Sequence, residues 1–268
     1  MTGVAGVMAV VLAEAIAGAI TLLWLTPLWN EVRRGFFKLV GSILTVLAIA
    51  TWFSVDAGLV GSRGFGNGGI LRGSTLAAVG LTALWTVLLF ARQQGAARAI
   101  GLLSVPAWLN VLVWMGGAGR QSFPLALFQL AAGAALLGAT TDGLLLGHWY
   151  LTDRRLTRRP IDRTTTILLV SVVVAAVAVI SAGFGGVPAS SAINPLLTAG
   201  ALAPWIALGM IAATALIAIL VRAVLRGERA SAVQSATGFY YLAVVTAFTA
   251  EVAVKTRFLA EIRGPPTP

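Results

Sequence analysis

The chain has 268 residues, 58% hydrophobic and 10% charged, with a formal net charge of +10 and no cysteine. Soluble globular chains are about 25% charged, so this balance, with a mean hydropathy of +0.92, excludes an ordinary soluble domain. The basic residues lie in short stretches between apolar runs, which excludes a nucleic-acid surface, and the lack of thiols excludes disulfides, a thiol nucleophile and thiol–quinone exchange.

About 20 apolar residues are needed to cross a bilayer as a helix. Eight runs are long enough: roughly 4–29, 36–55, 75–92, 97–116, 124–151, 165–187, 200–225 and 231–254. The expected fold is therefore an all-α polytopic membrane protein, a bundle of about eight transmembrane helices in a single integral domain over 1–268. The first run has no basic leader and exceeds the 7–15 residues of a signal-peptide core, so it reads as the first span. Glu14 lies near its middle. A carboxyl at that depth costs about 2.5–3.5 kcal/mol on insertion scales and marks a partner, a pathway or a site.

The second span is followed by a glycine-rich stretch, Ser54–Ser74, expected as a loop. The third span is short and is expected to form a tight hairpin with the fourth across Arg92–Arg98. Pro106 in the fourth span and Pro204 in the seventh each remove a backbone hydrogen bond, so kinks are expected there. Trp29 and Trp149 fall at predicted inner boundaries and Trp52 and Trp114 at outer ones, while Trp24, Trp85 and Trp108 are deeper and read as packing residues.

The fifth span carries the clearest contact faces. Ala134, Gly138 and Asp142 step by four, and Gly143 and Gly147 form a second small-residue pair. Small residues at this spacing allow close helix approach in lipid, so this span is expected at the centre of the bundle with Asp142 facing protein. Asp142 is either a proton, cation or ligand contact, or an interhelical hydrogen-bonding group. A path from Glu14 to Asp142 requires the first and fifth spans to touch. His148, the only histidine, sits beside Trp149 and Tyr150 at the inner boundary. It reads as a belt residue or as a group that exchanges protons with a quinone or an acid. One histidine cannot form bis-His haem within a chain, and no metal-ligand spacing is present.

The loop after the fifth span holds Arg154, Arg155, Arg158, Arg159 and Arg163 with Asp153 and Asp162. It is expected to anchor topology and bind anionic headgroups, at about 1 kcal/mol per basic residue. A second glycine-rich loop is expected at 182–195. Its Gly-Phe-Gly string at 183–185 resembles the one at 64–66, and Ala83–Gly95 faintly matches Ala215–Gly227. These similarities suggest two four-helix halves in parallel orientation. Near the end of the eighth span, Glu251 and Lys255 are four residues apart, the spacing of a helix-surface ion pair. Lys255 is expected too close to the outer end for a retinal Schiff base. Thirteen of the 19 Lys and Arg residues fall in the odd-numbered loops, which places those loops in the cytoplasm and both termini outside.

Three functional classes follow. The first is a non-catalytic membrane subunit or accessory of an electron-transfer, quinone-linked complex. Glu14, Asp142, His148 and Glu251 would then handle protons, with a quinone as the ligand. The second is a small proton- or ion-coupled transporter. The third, a lipid-modifying enzyme, has only His148, Asp153 and nearby arginines to draw on. The expected partners are the lipid bilayer and a membrane-protein subunit or second copy.

Overall fold

The structure is a computed structural model that describes residues 3–60, 67–117, 121–153, 155–184, 199–227 and 231–260. Among these residues it is all-helical: α1 (Gly3–Leu25), α2 (Leu28–Glu31), α3 (Arg34–Val60), α4 (Gly68–Phe90), α5 (Gln94–Gly116), α6 (Phe123–Thr152), α7 (Arg159–Ser181), α8 (Ala199–Leu225) and α9 (Ser231–Ala260). All but α2 are long and apolar enough to cross a membrane. The chain is thus an all-α polytopic bundle, as its hydropathy pattern requires.

Several boundaries differ from the sequence expectation. The first span ends at Leu25, before Pro27, and the four-residue α2 follows a turn. The third span is not short: α4 begins at Gly68 and has 23 residues. Helix α3 continues to Val60, so most of the expected 54–74 loop is helical, and the Gly64–Gly66 string lies outside the described residues. Helix α9 runs six residues beyond the apolar run, to Ala260. For α3, α4 and α9 the hydropathy drop marked a change of composition within a helix, because helical hydrogen bonding continues through Gly and polar residues once neighbours pack against them. Pro106 and Pro204 both lie inside continuous helices.

The packing graph divides the spans into two closed groups of four. In one, α1 packs on α3, α3 on α4, α4 on α5 and α5 on α1; in the other, α6 packs on α7, α7 on α8, α8 on α9 and α9 on α6. The groups meet mainly where α1 lies on α6, flanked by α1–α9 on one side and α5–α6 on the other. This is the arrangement expected of two parallel four-helix halves. A repeated detail supports the correspondence. Thr82 and Thr214 immediately precede the two matching segments, and both are fully buried. Thr82 Oγ1 accepts from Trp108 Nε1 of α5 at 2.9 Å, and Thr214 Oγ1 bonds Thr246 Oγ1 of α9 at 2.7 Å.

Helix α1 is the most buried span and α6 the next. Their crossing depends on glycine. A Cβ at Gly18 would fall 1.7 Å from the Ala134 carbonyl oxygen, and one at Gly138 would fall 2.4 Å from the Gly18 carbonyl carbon. Main chain therefore touches main chain, which only Gly permits here. The second small-residue pair of α6 seats α9 in the same way: Gly143 lies under the Tyr240 ring and Gly147 under Thr237.

At the end of the bundle where α6 closes, aromatics stack in a continuous series. Trp24 and Trp29 have centroids 5.0 Å apart, Trp29 and Phe37 4.7 Å, Phe37 and Phe36 5.4 Å, and Phe36 and Trp149 6.3 Å. Trp29 and Trp149 thus pack internally and are not free belt residues, because α2 folds Trp29 back over α1. Trp85 and Trp108 are fully buried, as their depth in the sequence implied.

Candidate functional site

The structure gathers three ionisable groups in the middle of the bundle. Glu14 of α1 and Lys255 of α9 are fully buried, and Glu251 of α9 is 3% exposed. Lys255 Nζ lies 2.7 Å from Glu14 Oε1 and 3.2 Å from Glu251 Oε2. These are ion-pair distances, but the contacts miss the directional geometry of hydrogen bonds, and Glu14 Oε2 has no partner among the described residues. The cluster is set by helical spacing. Glu251 and Lys255 share a face of α9 one turn apart, and that face packs on α1. Room for both carboxylates comes from Gly133 of α6. A Cβ there would stand 2.6 Å from Glu14 Oε1 and 2.8 Å from Glu251 Oε2.

The ion pair expected between Glu251 and Lys255 forms, but it is buried inside the bundle and not on a surface. Lys255 is not at the outer edge; it is an interior residue of a longer α9, and it meets Glu14 of α1 as well as Glu251. The Phe258 ring, one turn further on, lies 5.8 Å from the ammonium.

Asp142 stands apart from the cluster. It is 1% exposed, and neither carboxylate oxygen has a hydrogen-bond partner among the described residues. The interhelical hydrogen bond to Thr, Asn or Arg that would make it purely structural is not formed there. Its neighbourhood is the second glycine face, where Tyr240 on Gly143 bonds Thr165 at 2.9 Å. Gly133 and Asp142 are nine residues apart on α6, about 13 Å of rise. Spans one and five do touch, but the Gly18–Gly138 crossing lies between the two acids and fills the interface with main chain. Glu14 and Asp142 therefore occupy separate layers.

His148 is exposed and contacts Tyr241, with ring centroids 5.6 Å apart and the phenol oxygen 3.2 Å from Nε2. It joins neither acid. Of the arginine cluster, Arg163 holds Glu31 of α2 with two bonds of 3.1 Å, and Arg158 donates to the carbonyls of Leu225, which ends α8, and of Gly227. Arg33 pairs with Asp153 at 3.2 Å. These groups fasten loops to one another. Arg155 and Arg159 are exposed and remain suited to headgroups, while Arg154 lies outside the described residues.

Two cavities adjoin the central helices. One, of about 370 Å³, opens between α1, α5 and α6 and is lined by Leu25, Leu112, Leu127, Leu130 and Ala134, with Thr21 as its only hydroxyl. It occupies the junction that corresponds, across the two halves, to the one filled by the charged cluster. The other, of about 20 Å³, lies where the ends of α6, α7, α8 and α9 converge. The residue that sequence reasoning missed is Lys255 as Glu14's partner. The available signal was a shared rarity: an acid and a base each set in an apolar run. No family model, no curated protein and no solved structure matches this chain.

Proposed function

We propose that the chain is a proton-coupled membrane carrier whose coupling site is the Glu14–Lys255–Glu251 cluster. The observation that carries this reading is the charge count at a fully buried position. Two carboxylates and one ammonium sum to one negative charge, and an uncompensated charge is costly in a low-dielectric interior. Binding one proton makes the cluster neutral; losing it restores the charge. Such a group responds to protonation in a way that a one-to-one ion pair does not. Its position supports the same reading, since carriers built from repeats commonly place coupling sites at the repeat interface. Here α1 comes from one half and α6 and α9 from the other. Asp142 would serve a second, separate layer, and His148 has no part in this scheme.

The reading of the chain as a quinone-linked accessory draws on the 370 Å³ cavity, whose lining suits a hydrocarbon chain. A quinone headgroup also needs hydrogen-bond donors at its carbonyls, and this lining supplies only Thr21. The cavity therefore fits a lipid tail better than a redox headgroup.

The test is infrared difference spectroscopy of the purified protein in lipid, between alkaline and acid buffer. A protonated-carboxyl band should appear on acidification and be lost or shifted in Glu14→Gln and in Glu251→Gln. An unchanged band in both variants would rule the cluster out as the proton site. Proteoliposomes under an imposed pH gradient then serve to screen solutes, with the Glu14→Gln protein as the uncoupled control.

A further inference from the structure

The 20 Å³ cavity has features that the charged cluster does not explain. Its lining includes Gln121, Gln129, Ala182, Pro204, Ala253 and Arg257. Gln129 is 3% exposed, and its side-chain oxygen has no hydrogen-bond partner among the described residues; the same holds for the buried oxygen of Gln121. A buried amide oxygen without a partner costs about 1–3 kcal/mol. A cavity needs about 10–15 Å³ to hold one water, together with two to four polar partners. Volume and polarity both meet that requirement.

The cavity's place relative to the cluster gives it a role. Gln129 is one turn before Gly133 on the same helix, and Gly133 is where the two carboxylates rest. Ala253 and Val254 immediately precede Lys255 in the chain, and the ring of Phe258, which also lines the cavity, is centred 5.8 Å from the ammonium. Outward lie Gln121 before α6 and Gly183 after α7, whose carbonyl accepts from Arg257. Among the described residues, the ionisable groups around this route are Glu14 on α1 and Glu251, Lys255 and Arg257 on α9; the facing parts of α6, α7 and α8 contribute amides and apolar groups. In the other direction the Gly18–Gly138 crossing puts main chain against main chain.

We propose that this cavity holds water hydrogen-bonded to Gln129 and forms a one-sided access route. Protons would reach the cluster from the membrane face bearing the start of α6 and not from the opposite face. The proposal rests on the proton-site reading and specifies which side that site communicates with.

The native chain has no cysteine, so single cysteines report without background. Silver ion, a thiol reagent small enough to follow water, is applied to either side of sealed, oriented vesicles. Phe123→Cys marks the cavity face and Thr152→Cys the opposite face; both positions are exposed. Leu137→Cys, fully buried, is the dry control. Gln129→Cys should lose its free thiol to silver from the Phe123 side only, and much faster than Leu137→Cys. Ala253→Cys, on the cavity's other wall, should behave alike and carries the test should Gln129→Cys not fold. Protection of both from either side, or reaction from the Thr152 side, overturns the proposal. Silver reads water and not carboxyl protonation, so this outcome and the infrared outcome can fail separately.

Discussion

The Lys255 ammonium is held by two carboxylates and has no other counter-charge among the described residues, so its removal should be more damaging than removal of either acid. Lys255→Met leaves Glu14 and Glu251 facing each other across Gly133, and loss of one partner from a buried ion group typically costs about 3–5 kcal/mol. Thermal unfolding in detergent should show a large drop. The triple variant Glu14→Gln, Glu251→Gln, Lys255→Met should recover most of it, because replacing a whole buried ion group is often near neutral. If the triple variant is as unstable as the single one, the cluster is not the source of the effect. Asp142 gives the opposite expectation. With no hydrogen-bond partner to lose among the described residues, Asp142→Asn should leave the melting temperature unchanged or raised. Glu14 and Asp142 were legible in the sequence because an acid in an apolar run stands out against its neighbours. Lys255 was not, because Lys255, Thr256 and Arg257 together lower the local hydropathy and made the span seem to end at Val254. Partner choice across α1 and α9 depends on tertiary packing, which one-dimensional periodicity does not encode.

Among the helices, glycines divide by what lies above them. Gly→Ala in an open helical position gains about 0.8–1 kcal/mol of helix propensity. Gly80, Gly209 and Gly238 have nothing within 4 Å of a would-be Cβ, so alanine there should leave stability unchanged or slightly raised. Gly18→Ala and Gly138→Ala instead force main chains apart, and overpacking typically costs about 1–3 kcal/mol. Melting temperatures of these five variants check the division; a stabilised Gly18→Ala would contradict the crossing. Gly133→Ala tests a different consequence, since its methyl group meets carboxylates and not backbone. It should perturb the infrared carboxyl band more than the fold. The fifth span's role was readable because Ala134, Gly138, Gly143 and Gly147 keep helical spacing along two faces, and the structure uses one face for α1 and the other for α9. The lengths of α3 and α4 were not, because glycine and polar residues lower hydropathy without ending a helix that neighbours hold in place, and the end of α9 was hidden by Lys255 and Arg257 in the same way.

At the scale of the whole molecule, each four-helix group closes on itself, and the two share chiefly the α1–α6, α1–α9 and α5–α6 contacts. Splitting the chain between α5 and α6 should therefore yield fragments that assemble when made together. Affinity purification of a tagged first half should retain the untagged second half, and Gly18→Ala should weaken that recovery. Failure of the intact halves to copurify would mean that the connecting segment, and not the interface, holds them together. The faint match of Ala83–Gly95 to Ala215–Gly227 was the sequence sign of this plan. The two junctions differ in chemistry: one holds the charged cluster and the other an apolar cavity.

The aromatic series from Trp24 to Trp149 has an optical consequence. Two indoles 5.0 Å apart and inclined by 27° share excitation, so their near-ultraviolet circular dichroism arises from the pair and not from either ring. The chain has eight tryptophans, yet Trp29→Phe should remove far more than an eighth of that signal. The stack joins α1 to α2, so it reports from within whether the end of α1 stays docked when the buffer is changed from alkaline to acid.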